Sequence, residues 1–457
     1  MFGRFKNFHF IGIGGVGMSG IAEVLLNLGF NVSGSDIKAS DYTKHLEKLG
    51  AKIYIGHRSE NIGDADAAVW SSAVNQSNPE LERAKEKKIP VIRRAEMLAE
   101  LMRLKKGIAI AGTHGKTTTT SITSLMLANA GFDPTIVIGG KLNNIGSGAK
   151  LGKGEYIVAE ADESDGSFLK LFPQYCIVTN IDSDHLDHYG SMDILKNTFL
   201  TFIEKLPFYG LCSLCADDEN IREILPRITA RKATYGLSKD ADYTIKNYKS
   251  EGLTSEFDAM YKNKKLGSVK LYIPGMHNVL NSLAAISIAL ELGVNFKTAA
   301  STLAEFRGVQ RRFQIKSDLN DILVADDYGH HPTEIAATIR AAKSNWKRRI
   351  IAIFQPHRYT RTQLLAEEFG KAFKEADIVI VTDIYAASEN PIPGVTSGLI
   401  IDSIKKQCDN TAIYKKTFDE IIEFTLSILK PGDIVLTLGA GNIWTVSEKL
   451  SKKIGKR

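Results

Sequence analysis

No stretch of the 457 residues approaches the roughly 18 consecutive apolar residues that a membrane-spanning helix needs, which argues against membrane insertion. The opening MFGRFKNFHFIGIGG carries basic residues and then an apolar run, but glycines interrupt that run within a few positions. It reads as a first strand and not as an export signal. Cysteine is scarce, with only Cys176, Cys212, Cys215 and Cys408. Cys212 and Cys215 have C-x-x-C spacing, yet no second pair accompanies them and both lie in the apolar run LCSLCAD. They are read as core residues, not as a redox or zinc site. Unpaired thiols without an export signal point to the cytoplasm. Charge of one sign is nowhere concentrated: the net +6 is spread along the chain. That balance suits small anionic substrates and offers no basic stripe for nucleic acid. There is no internal repeat and no low-complexity tract, and nothing in the sequence fixes an oligomeric state.

What is present is an alternation of short apolar strands with amphipathic helices, the pattern of parallel α/β sheets. A chain of this length holds two to four domains, and three blocks are expected, covering residues 1–104, 105–312 and 313–457. The first supplies strands at HFIGIG, NVSGSD, KIYIGH, AAVWSSAV and PVIRR, with a helix from Met18 to Leu28. The second has strands at GIAIAG, PTIVIGG, YIVAEAD, YCIVTNID and CSLCADD, a β-ribbon over about 240–273, and a helix from Asn278 to Leu292. A linker around Phe306 to Arg312 leads to the third. There DILVADDY, RRIIAIFQPH, ADIVIVTDIY and DIVLTLGAG are strands, with helices from Pro332 to Ala342 and after Thr360.

Between the strand GIAIAG and the following helix lies Gly112-Thr113-His114-Gly115-Lys116-Thr117-Thr118. In that strand–loop–helix frame, glycines let backbone N–H groups turn towards phosphate oxygens, and the helix N-terminus adds partial positive charge. Lys116 is placed to neutralise the β/γ-phosphates of a nucleoside triphosphate, and the Thr117 hydroxyl to ligate Mg²⁺. The loop departs from G-x-x-x-x-G-K-[ST], since Ile110 stands five residues before Gly115.

Two acidic runs follow at predicted strand ends: Glu160-Ala161-Asp162-Glu163-Ser164-Asp165 and Thr179-Asn180-Ile181-Asp182-Ser183-Asp184-His185. Carboxylates there are costly to desolvate without a cation, and hard oxygen ligands beside phosphates suit Mg²⁺. His277 and Asn281 are four residues apart and share one helix face. They either contact adenine and ribose, or mark a helix start capped by Asn278.

Near the start, Gly12, Gly14 and Gly17 satisfy G-x-G-x-x-G between strand and helix, and Asp36 follows a second strand. By itself this signature fits an NAD-dependent oxidoreductase. It equally fits any ligand with a diphosphate. A non-catalytic nucleotide switch built on the Lys116 loop is a third possibility, although a switch has no need of two acidic loops.

G-T-H-G-K-T-T, E-A-D-E-S-D, T-N-I-x-x-D-H-x-D, G-x-H-N-x-x-N and the pair Arg311-Arg312 together resemble the ATP-dependent Mur ligase family over nearly the whole chain. The phrases D-D-Y-G-H-H-P-T-E from Asp326, F-Q-P-H-R-Y-T-R-T from Phe354 and L-G-A-G-N from Leu438 fit those members that join L-alanine to UDP-N-acetylmuramic acid in peptidoglycan synthesis. The resemblance implies a Rossmann-like N-terminal domain gripping the UDP-sugar, a central P-loop sheet binding ATP, and a Rossmann-like C-terminal domain closing over both with the amino acid. It implies an acyl-phosphate route: Lys116 and Thr117 on the triphosphate, Glu160 and His185 with Thr117 on Mg²⁺, and Arg312 directed to the γ-phosphate. Tyr328, His330, His357, Arg358 and Arg361 then line the acceptor side. Gly12, Gly14, Gly15 and Gly17, with Asp36 and Ser72 at the uridine end, hold the UDP-sugar. Within the family the rival reading is the ligase that returns an intact peptide to the same UDP-sugar. Several relatives carry a carbamylated lysine after the second acidic run; Phe199 stands at the expected position and Lys196 nearby, so no carbamate is assigned.

Overall fold

The computed structural model describes residues 2–71, 73–139, 149–387, 389–408 and 411–456. Three sheets follow one another along the chain. In the first, β1 (Asn7–Ile11), β2 (Asn31–Asp36), β3 (Lys52–Ile55), β4 (Ala67–Trp70) and β5 (Val91–Arg93) lie in the order β3-β2-β1-β4-β5. All its pairings are parallel. The order reverses beside β1, which makes the loop after β1 the natural ligand crevice of this sheet.

The second sheet contains β6 (Lys106–Ala111), β7 (Thr135–Val137), β8 (Ala149–Lys150), β9 (Tyr156–Glu160), β10 (Tyr175–Val178), β11 (Leu211–Cys215) and β12 (Lys232–Tyr235). The ribbon strands β13 (Tyr243–Glu251), β14 (Thr254–Tyr261) and β15 (Lys264–Leu271) extend it, giving β15-β14-β13-β12-β11-β10-β6-β9-β7-β8. Strand β6 sits between β10 and β9 and is parallel to both. Its residues 107–111 are all buried, which is why GIAIAG reads as an unbroken apolar run and not as an alternation.

The third sheet orders β16 (Gln314–Leu319), β17 (Ile322–Asp327), β18 (Arg349–Phe354), β19 (Ile378–Val381), β20 (Thr411–Tyr414) and β21 (Asp433–Leu438) as β16-β17-β21-β18-β19-β20. Only β16 runs antiparallel, with an irregularity between Ile315 and Ser317. Two cores cover its faces. Leu323 and Ala325 of β17 pack with Ile335, Ile339, Phe369 and Ile404, while Ile322 and Val324 pack with Ile421, Val446 and Leu450. That alternation is the period of two that puts successive side chains on opposite faces.

By contacts the described chain falls into two compact units. One comprises Met1–Lys246, Asp258–Val269 and Leu280–Glu305; the other Asn247–Phe257, Lys270–Val279 and Phe306–Arg457. Among the described residues no helix is long and apolar enough to cross a membrane.

The fold is the α/β architecture expected, with small differences at helix ends. The first helix starts at Val16 rather than Met18, because Gly15 ends the turn and serves as N-cap. The helix from Pro332 runs to Trp346, where Lys347 ends it in left-handed conformation. Asn278 lies inside helix Met276–Glu291 and not ahead of it, and its side-chain amide reaches back to the Pro274 carbonyl at 2.7 Å. Cys212 and Cys215 lie three apart on β11, on opposite faces, so they cannot chelate one ion. Both are buried, Cys212 beside Cys176 on β10, and burial pushes the Cys215 thiol up to about 12.

Candidate active site

The phosphate loop leaves β6 at Ala111 and enters helix Lys116–Asn129. Gly112 and Gly115 both have positive φ, +124° and +82°. A Cβ at Gly112 would stand 2.1 Å from the Thr179 hydroxyl, and one at Gly115 2.7 Å from the Asn281 amide oxygen. Only glycine fits either place. The end of β10 grips the loop between them. Asn180 accepts the His114 N–H at 2.8 Å and donates to the His114 carbonyl, which also accepts the Thr179 hydroxyl at 2.6 Å. His114 Nε2 lies 2.9 Å from Asp182 Oδ2, whose backbone N–H is received by the Thr113 hydroxyl.

Lys116 bends back over this loop. Its Nζ donates to the Gly112 and Thr113 carbonyls, at 2.6 and 3.1 Å, and to both carboxylate oxygens of Glu163. Burial works against the ammonium charge, but Glu163, Asp162 and Glu160 outweigh it and raise its pKa. Burial, with Asp162 adding to it, pushes the Glu163 carboxyl up against the pull of Lys116. Asp162 is held low despite burial, first by Arg94 at 2.9 Å and then by Lys116.

Glu160 ends β9 with its carboxylate against Gly139. His185 lies close enough to Glu163 to favour its ionised form. It holds φ +59° and ψ 25° as the cap of a short helix, a conformation that costs a non-glycine residue about 1 kcal/mol. The Thr117 hydroxyl has no protein partner among the described residues. Three carboxylates around Lys116, one of them paired with Arg94, form a donor set that fits a hard divalent cation.

In the first sheet, Gly12 and Ile13 donate their N–H groups to the Ser35 carbonyl at 2.9 and 3.0 Å, and Gly14 donates to Asp36 Oδ2 at 2.9 Å. Asp36 thus shapes the glycine turn itself. Gly15 caps helix Val16–Asn27, and Gly17 lies against the Arg94 guanidinium. Ser72 falls outside the described residues.

The second unit gathers its own cluster at the ends of β17, β18 and β21. Arg311 donates to Asp326 at 3.0 Å and to the Gly439 and Gly441 carbonyls. Arg311 and Arg312 lie 5.0 and 5.2 Å from the centroid of the Tyr328 ring. Arg312 pairs with Glu334 at 3.4 Å, and His277 lies in its field. His330 stands edge-on between Tyr328 and His357, with centroids 5.4 and 5.5 Å away. His357 stacks on Tyr385, and Arg361 reaches its Nδ1 at 3.3 Å. Arg358 is held at φ +71° by the bond from its N–H to the Tyr385 carbonyl, 2.9 Å, with Glu389 Oε1 3.8 Å from its Nε.

Tyr328, His330, His357, Arg358 and Arg361 are therefore brought together, as are Lys116, Glu160 and His185 within the other unit. Sequence reasoning gave no individual role to Glu163 or Glu334, though both lie in motifs it singled out, and it missed Arg94, Tyr385 and Glu389. Glu163 was legible as the third acid of E-A-D-E, and Arg94 as the second arginine of the pair Arg93-Arg94 at the end of β5. Nothing local marks Tyr385 or Glu389, whose roles depend on the return of the chain after β19. Phe199 is fully buried against Phe168, and Lys196 pairs outward with Glu223 and Asp193, so neither offers a carbamate here.

Three family models match in series: Mur ligase family, catalytic domain, over residues 7–106; Mur ligase middle domain over 110–289; and Mur ligase, glutamate ligase domain over 311–441. The chain is 56% identical over 454 residues to a UDP-N-acetylmuramate–L-alanine ligase of Geotalea uraniireducens, covering 99% of each chain. It is 55% identical over 456 residues to the protein of the same name from Geobacter sulfurreducens, again covering 99% of each. Among solved structures, a UDP-N-acetylmuramate–alanine ligase from Thermotoga maritima matches with TM-score 0.83 and 31% identity, over 98% of this chain and 99% of that one. A murein peptide ligase from Psychrobacter arcticus matches with TM-score 0.73 and 25% identity, over 99% of both. Similar to these relatives from end to end, the chain belongs to the Mur ligase family.

Proposed function

We propose that this chain joins L-alanine to UDP-N-acetylmuramic acid, with ATP converted to ADP and phosphate, as the first amino-acid addition of peptidoglycan synthesis. The observation that carries the chemistry is the order β10-β6-β9, which sets the Lys116 loop between the two acidic loops. Relatives over half identical along their full length, named for this reaction, support the substrates. Peptide ligation belongs by name to relatives at 25% and 28% identity, and the L-alanine reading is preferred. The oxidoreductase reading finds no support among these relatives, which are named for ligation.

Residues 1–104 hold the UDP-sugar through Gly12, Gly14, Gly15 and Gly17. Residues 105–312 hold ATP through Gly112 to Thr118, with His277 and Asn281 towards the nucleoside. Residues 313–457 hold L-alanine. The muramoyl carboxylate oxygen attacks the γ-phosphorus, the bond to the β-phosphate oxygen breaks, and ADP leaves. A carboxylate is a poor electrophile until it carries this leaving group. The alanine nitrogen then adds to the acyl carbon, loses a proton, and the C–O bond to phosphate breaks. Lys116 and Arg312 stabilise charge on the transferring phosphoryl group. Thr117, Glu160 and His185 would hold Mg²⁺, which screens the repulsion between carboxylate and triphosphate. Arg358 and Arg361 bind carboxylate and phosphate with their planar forks, and Tyr328, His330 and His357 shape the acceptor pocket. A cytoplasmic location goes with this reading, since the four cysteines are free thiols and ATP is a substrate.

Phosphate release from ATP with UDP-N-acetylmuramic acid, measured across single amino acids and the recycled tripeptide, tests this. L-Alanine is expected to be fastest; faster use of the tripeptide transfers the assignment to the recycling reaction.

A further inference from the structure

One buried carboxylate in the first sheet has no part in the chemistry above. Glu80 lies in the first turn of helix Pro79–Glu86 and is fully buried. Its Oε1 accepts from the Asn61 amide and from the Arg58 N–H at 3.2 Å. Its Oε2 accepts the Ser35 hydroxyl and lies 3.3 Å from His57 Nδ1 and 3.6 Å from His9 Nε2. No lysine or arginine side chain pairs with it among the described residues. A charge this deep survives only where donors converge on it, and these come from β1, β2 and the turn after β3.

Those donors lead to the glycine turn. Ser35 gives its hydroxyl proton to Glu80, while its carbonyl receives Gly12 and Ile13. Asp36 receives the Gly14 N–H with its side chain and the Gly56 N–H with its carbonyl. His57 follows directly, with Nδ1 2.9 Å from the Ser35 oxygen. Because the Ser35 proton is directed to Glu80, that oxygen is an acceptor towards His57, so Nδ1 carries the ring proton. Nε2 is left without a protein partner among the described residues, on a side chain 16% exposed at the strand-end crest.

We propose that Glu80 is a positioning residue for the nucleotide-sugar: through Ser35 and His57 it fixes the Gly12–Gly14 turn and makes His57 Nε2 an acceptor for an N–H or hydroxyl of the nucleoside. This rests on the reading that the first block holds the UDP-sugar.

The test uses the full-length protein, beginning with calorimetry of the wild type and UDP alone. Absence of binding removes the reading of the first block, whatever Glu80 does. Where UDP binds, Glu80→Gln sets an amide N–H against one pair of donors. UDP affinity is expected to fall, and KM for UDP-N-acetylmuramic acid to rise, by about tenfold or more. KM for ATP and kcat should stay within about twofold. Nitrogen-15 spectra should show wild-type His57 protonated at Nδ1, with that preference lost in the variant. Ser35→Ala removes the link but keeps the carboxylate; it gives the same split and serves if Glu80→Gln does not fold. Unchanged UDP affinity in a folded variant, an equal loss towards ATP, or a wild-type His57 protonated at Nε2 overturns the proposal.

Discussion

The Lys116 ammonium stands 2.7 Å from one oxygen of Glu163 and 3.0 Å from the other, so the cation of the phosphate loop has an acidic partner on the neighbouring strand's loop. The pair holds Lys116 in place and sets the charge that a triphosphate meets. Lys116→Ala is expected to lower kcat at least about 100-fold, the loss of about 2–3 kcal/mol of phosphoryl stabilisation. Glu163→Gln leaves the lysine charge without its partner and should cost about 3 kcal/mol of stability, read as a lower melting temperature. A Lys116→Ala enzyme keeping a tenth of wild-type kcat contradicts the assignment.

Glu160→Gln and His185→Ala should each raise the Mg²⁺ concentration for half-maximal rate by about tenfold or more. Titration of the rate against Mg²⁺ at saturating ATP measures this. Identical titrations in both variants would move the metal site elsewhere.

Acceptor choice should be imperfect in one direction. A missing methyl or an added hydroxyl changes pocket energy by only about 1–3 kcal/mol, so glycine and L-serine should react about 10–200-fold more slowly than L-alanine. Glu389 receives both the N–H and the hydroxyl of Thr360 and lies near Arg358. Glu389→Ala should therefore raise KM for L-alanine while leaving KM for ATP as it was. Equal changes in both would make Glu389 a general structural residue.

Acid should weaken the first sheet through Glu80. Burial works against its charge, but the nearby His9 ring and the bonds from Ser35 and Asn61 outweigh it and hold the carboxyl at about 2, below the ordinary 4.5. A depressed carboxylate contributes stability that is fully present above pH 4.5 and is lost as pH falls towards 2, in total about 3 kcal/mol. Denaturant midpoints at pH 5 and pH 3 should separate in the wild type and converge in Glu80→Gln. Equal separation in both would show that other groups carry the acid response.

Much of this was legible because strands buried on both faces write themselves as apolar runs, and glycine turns with lysine and threonine have few other uses. GIAIAG, YIVAE and YCIV all lie where their patterns placed them. The edge strand β16 was not legible: none of its residues is fully buried, and it pairs antiparallel only because β17 is beside it. The partners of site residues were hidden for a related reason. Glu163 could be seen near the site but not aimed, since its orientation depends on Lys116 folding back over its own loop. Glu80 sits 45 residues from Ser35 in a charged helix that looks wholly solvated in sequence.

Strand β9 is buried at Ile157, Val158 and Ala159, pairs with β6 up to Glu160 opposite Ile110, and is followed by fully buried Ala161. Side chains alternate faces along it, so deleting one residue upstream would set Ala161 where Glu160 stands and carry Glu160 into the buried place of Ala159. Such a protein would lose the carboxylate at the strand end and bury a charge within the sheet. The length of this segment is thus constrained by chemistry and packing together, and length variation among descendants of this gene should accumulate in the connections and vanish from Tyr156–Glu160.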